Sequence, residues 1–187
     1  MQRGYKTWAE KEASQVRSRV GLSACDRLSA RLLLRHLNAI VITPHLVPGM
    51  TPTDIAQLTR QDPRSWSAVS GHVDGTTIVI VNDAHSPTRQ ESNLHHEAAH
   101  LMRGHRPSRF LKLDDLTLRE YDQDAEHEAE WLAGCLHLPR AALLEALRRG
   151  EDDSAIGQRF LASPEMVRFR RSVTGVDRQL AARGQRQ

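Results

Sequence analysis

The sequence predicts an α+β protein, mostly helical, with a small antiparallel or mixed sheet of about three strands. Two observations carry this. Segments 89–105 and 121–139 repeat their apolar residues with the helical period. Upstream of them lie three short β-rich runs, two of which flank Asp74-Gly75, a dipeptide suited to a two-residue hairpin turn.

Residues 7–20 read as a first helix, closed by Gly21, and 29–37 as a second that leads into Ala39-Ile40-Val41-Ile42-Thr43. Thr53 reads as the cap of a short helix through Leu58. Runs 66–73 and 76–81 read as a hairpin. Its second strand leads within a few residues to the helix at 89–105, and the hairpin is expected to offer an edge to an extended substrate or to be purely structural. Segments 154–161 and 166–173 read as two short helices joined at Ser163-Pro164-Glu165, a helix-turn-helix-like spacing within a C-terminal segment, 151–187. The end, 178–187, reads as a solvated, partly disordered tail.

The gross properties fit one domain over 1–187. Apolar content of 39% and charged content of 26% are ordinary for a globular chain. A net charge of +3 does not by itself imply a nucleic-acid partner. Two cysteines, Cys25 and Cys135, do not make a disulfide framework, and Cys135 sits on an apolar helix face. No run is long and apolar enough to span a membrane, and the start carries no signal-peptide core, so a cytoplasmic protein is expected.

The chemistry concentrates at His96-Glu97-Ala98-Ala99-His100. Residues four apart on a helix lie about 40° apart in projection, so His96 and His100 can both reach one ion. Glu97 projects about 100° further round, placed to take a proton from a water polarised by that ion. Leu94, Ala98, Leu101 and Met102 form the opposite, apolar face, which leaves the histidines toward a cleft or solvent. An amphipathic surface helix that merely holds two histidines is the plainer alternative.

An open zinc site needs a third protein ligand. Of the three glutamates in segment 121–139, Glu128 falls in the middle of the face made by Ala125, Trp131, Leu132, Cys135 and Leu136, while Glu126 and Glu130 are read as solvent-facing. A carboxylate on an apolar face needs a metal or a cationic partner. Glu128 is therefore the expected ligand, and an arginine pair is its alternative. Tyr121 and His127 are both placed to hydrogen-bond a reaction intermediate, and the sequence does not choose between them.

His96-Glu97-Ala98-Ala99-His100 together with Glu126-His127-Glu128-Ala129 through Leu136-His137-Leu138-Pro139 resembles the ImmA/IrrE metallopeptidases, whose second motif runs roughly E-x-E-A-N-x-F-A-x-x-L-L-M-P. Gly4-Tyr5-Lys6-Thr7, residues 62–69, residues 82–90 and residues 173–179 look like the same subfamily. The sequence departs from the pattern at Glu130 (commonly Asn or Asp), Leu132 (Phe), His137 (Leu) and Ala98-Ala99 (Leu-Gly). The resemblance implies a zincin-like fold with zinc, or manganese in its place, held by His96, His100 and Glu128, and Glu97 as general base. It also implies a protein substrate, typically a helix-turn-helix repressor cleaved in a stress response or in control of a mobile element. Two alternatives remain. One is direct DNA binding through Arg168, Arg170 and Arg171 of segment 151–187; the other is a non-catalytic toxin- or antitoxin-type partner that keeps the fold.

Overall fold

The computed structural model describes residues 3–105, 110–113, 116–119 and 122–184. Helix α1 (Tyr5–Arg19) buries Tyr5, Ala9, Ala13 and Val16, recurring at helical spacing. Arg17 on the same stripe is also buried, and donates to three backbone carbonyls, those of Ala13, Asp26 and Leu136. Helix α2 (Ala30–His36) begins under Glu91, whose carboxylate accepts from the Ala30 N–H at 2.9 Å.

Strand β1 (Ala39–Ile42) follows, then α3 (Pro52–Ala56), which runs on into a π-type turn, Gln57–Gln61. The cap is Thr51, two residues before the expected Thr53. Pro52 fills the first turn, and Asp54 returns a bond to the Thr51 N–H in a reciprocal capping box.

Strands β2 (Ala68–Val73) and β3 (Thr76–Val81) form the expected hairpin, with Asp74 and Gly75 both left-handed at φ 48° and 77°. The sheet order is β1-β3-β2, with β1 parallel and β2 antiparallel to β3. Because β3 is paired on both sides, the hairpin edge left open among the described residues belongs to β2.

Helix α4 (Pro87–Arg103) packs on β2, β3, α2 and α5 (Gln123–His137). Between α4 and α5, β4 (Phe110–Leu113) and β5 (Leu116–Arg119) pair antiparallel. A second apolar cluster is built from α6 (Arg140–Arg148), α7 (Asp153–Phe160), α8 (Pro164–Thr174) and α9 (Val176–Gly184) around Leu143, Ile156, Phe160 and Val167. The segment expected to be a solvated, partly disordered tail is helical to Gly184, and Leu180 packs against this cluster.

The α7–α8 turn is tight for a reason visible at Gly157. A Cβ there would lie 2.7 Å from the Ala162 carbonyl oxygen, and the Ala162 N–H bonds back to Gly157 O at 2.8 Å. The pair is helix-turn-helix-like in spacing, but its arginines are largely engaged within the fold. Arg170 is buried, bonded to Glu10 and to Leu138 O, and Arg171 pairs with Asp153 and Asp177. Arg168 is exposed and pairs with Glu165. Arg170→Ala is expected to cost about 2–4 kcal/mol, since it strips Glu10 and Leu138 O of a charged donor; urea denaturation measures it.

The interior also holds two stacked imidazoles, His95 and His137, with ring centroids 4.7 Å apart. His137 Nε2 lies 3.1 Å from Phe160 O and 3.2 Å from Leu161 O, so Nε2 carries the proton. Burial drives the His137 pKa from 6.5 down to about 4, and lowers His95 as well. A histidine depressed in the folded state binds fewer protons there than in the unfolded chain. The His137 contribution to stability therefore falls as pH drops below about 6.5 and stops falling below about 4. For His137 alone the loss is about 3 kcal/mol. His137→Leu, the residue common at this position in the resembling sequences, should make the decline shallower in denaturation midpoints taken from pH 7 to 4.

Candidate metal centre

The local sequence fixes α4 at both ends. Ser86 caps it, accepting from the Arg89 N–H, and Pro87 occupies the first turn. At the other end Gly104 is left-handed at φ 63°. Gly104 N–H bonds to Leu101 O at 3.1 Å and His105 N–H to His100 O at 3.0 Å, a Schellman closure. Between these ends Leu94, Ala98 and Ala99 are buried, and Leu101 and Met102 pack against the core, as the helical phase predicts.

His96 and His100 point the same way, with their Nε2 atoms 3.0 Å apart. The carboxylate that meets them is Glu126. Its Oε2 lies 3.2 Å from His96 Nε2 and 3.6 Å from His100 Nε2. Among the described residues these three form a group able to hold an ion. All three side chains are partly buried, from 16% to 29% exposed, so the site opens on one side. Tetrahedral zinc with ligands at 2.0–2.1 Å requires donor–donor separations of about 3.3–3.4 Å, and the three distances bracket that value. Burial, followed by the nearby His96, lowers the His100 pKa to about 4, with Glu126 opposing. His100 is therefore neutral at pH 7, the form that binds metal.

Glu128 does not face the histidines. Its Oε2 accepts from Arg103 Nε at 3.0 Å and Arg103 Nη2 at 2.8 Å, and lies 3.6 Å from His105 Nε2. The Arg103 guanidinium also lies over the rings of Tyr5 and Trp8, and the Tyr5 hydroxyl donates to the Glu128 carbonyl at 2.8 Å. Glu128 is buried as the phase argument requires, but an arginine neutralises it. Helix α5 has more than one buried face. A second stripe, Glu126, Ala129 and Ala133 at i, i+3 and i+7, lies beside the first, and both alanines are buried. Glu126 ends that stripe and so reaches α4 rather than solvent.

Glu97 is half-buried and follows His96 directly on α4. His127 is exposed, and Tyr121 lies outside the described residues. His105 and Arg103 belong to neither motif, although Gly104 after a helical run announces a Schellman closure that returns the next residue to the helix end.

The sequence matches the IrrE N-terminal-like domain, Peptidase_M78, over residues 56–172. The chain belongs to this family. The matched span includes both motif helices and the sheet hairpin, so this is a metallopeptidase-family protein. Comparisons with curated proteins and with solved structures give no match. Among the described residues, no helix is long and apolar enough to cross a membrane.

Proposed function

We propose that this protein is a zinc-dependent endopeptidase that cleaves an intracellular protein, a helix-turn-helix transcriptional repressor. The convergence of His96, His100 and Glu126 beside Glu97 carries the peptidase reading. The repressor substrate follows from the family resemblance. Two imidazoles and one carboxylate, with one side of the site open, are the donor set of a catalytic rather than a structural zinc site.

A zinc ion held by these residues would make water nucleophilic at neutral pH and polarise the scissile carbonyl. Each side chain then has a defined task. His96 and His100 present neutral Nε2 lone pairs, and Glu126 supplies the negative charge. The Glu97 carboxylate takes the proton released by the attacking water and returns it to the departing amine nitrogen. Partial burial of the three ligands keeps bulk water off one side of the centre and strengthens each of these interactions.

The substrate part has its own test. Glu97→Gln protein, used as a trap in cells that contain the natural substrate, should retain a protein that wild type releases in two fragments. Mass spectrometry should identify it as a helix-turn-helix repressor. Capture of a different class of protein, cut by wild type, would replace the repressor as substrate and keep the peptidase. Absence of cleavage of any captured protein by metal-loaded wild type would count against endopeptidase activity itself.

A further inference from the structure

Zinc binds the Nε2 lone pair of His100 only if the ring proton sits on Nδ1. What lies against Nδ1 therefore decides whether the site is ready for metal. Here the neighbour is His105, folded back by the Schellman closure at Gly104, with its Nδ1 3.1 Å from His100 Nδ1. Two imidazole nitrogens at that distance share one proton, so one of them donates. The choice is made on the far side of His105. There Nε2 faces Glu128 Oε2 at 3.6 Å, an ion-pair rather than a full hydrogen-bond distance. Glu128 is a carboxylate already taking two N–H bonds from Arg103 on that same oxygen, so it only accepts.

From this we propose that Glu128 and His105 form a positioning relay that sets the ligating tautomer of His100. The carboxylate holds the His105 proton on Nε2. His105 Nδ1 is then a bare acceptor, and His100 Nδ1–H donates to it. This leaves the His100 Nε2 lone pair facing His96 Nε2 and Glu126. Arg103, lying over Tyr5 and Trp8, holds the carboxylate in place with its two N–H bonds. Metal sites commonly fix a histidine with a carboxylate directly. In this chain an imidazole is interposed, and the buried acid of α5 acts through it. The inference rests on the reading of His96, His100 and Glu126 as ligands.

The test joins a spectroscopic readout with an affinity. In metal-free wild type at pH 7.5, long-range proton–nitrogen NMR should show His100 protonated at Nδ1 and His105 at Nε2. Glu128→Gln lets an amide N–H₂ donate to His105, which reverses both tautomers. It should weaken zinc binding, read by competition with a chelator, by about 10- to 100-fold. His105→Phe should weaken it by a similar factor, and the double variant should be no weaker than the weaker single variant. His100 protonated at Nε2 in wild type would overturn the relay. So would unchanged zinc affinity in both folded single variants. Wild type that takes up no zinc, or keeps it in His96→Ala, would instead overturn the ligand assignment. The tautomers of the metal-free protein would still decide the relay.

Discussion

Glu97→Gln is expected to lower peptide-bond cleavage by about 100- to 10,000-fold while leaving metal content unchanged. The amide matches the carboxylate in size and still accepts a hydrogen bond through its oxygen, so the helix and the ligands should stay in place. It cannot take a proton. Metal analysis of wild type and variant, beside turnover on a captured substrate, separates the two effects. A variant that loses metal as well would make Glu97 part of the binding set. A variant with near-normal turnover would remove it from proton transfer.

Glu126→Ala should weaken zinc binding by more than about 100-fold, beyond what outer-shell partners usually contribute. The reason is geometric. Glu126 Oε2 is the carboxylate oxygen that meets both imidazoles, at 3.2 and 3.6 Å, and alanine leaves two neutral ligands with no negative charge beside a dication. Glu130→Ala, one helical turn along on an exposed position, should leave affinity unchanged. If Glu126→Ala keeps its zinc and a Glu128 variant loses it entirely, the assignment reverses. The Arg103–Glu128 pair would then have to open when metal enters.

Much of this arrangement is legible in the residues, and the remainder has identifiable causes. The hairpin was readable because Asp74-Gly75 permits one turn type and β-branched residues flank it. The histidine pair was readable because a four-residue spacing on a helix leaves little freedom. The third ligand was harder. Helical phase says that Glu128 is buried but not what it is buried against, and the answer lies on α4 at Arg103. Ala129 and Ala133 mark a second buried stripe that carries Glu126, a signal that side-chain size hides in a search for large apolar residues.

Elsewhere the cues were present but unassigned. Phe110-Leu111-Lys112-Leu113 and Leu116-Thr117-Leu118-Arg119 include a period-two alternation, and they form β4 and β5. Arg170 sits in a basic run and reads as solvated. It is buried because Glu10 and the Leu138 carbonyl, both remote in sequence, receive its guanidinium. Such long-range pairings leave no trace in local periodicity.

In the proposed site, two residues of α4 and the first glutamate of the α5 motif hold one metal ion. A crystal grown with zinc and measured above and below the zinc absorption edge tests it most directly. A single anomalous peak within about 2.0–2.2 Å of His96 Nε2, His100 Nε2 and a Glu126 oxygen is the predicted result. A peak coordinated by Glu128 in place of Glu126, or no peak at these histidines in zinc-saturated protein, would contradict it.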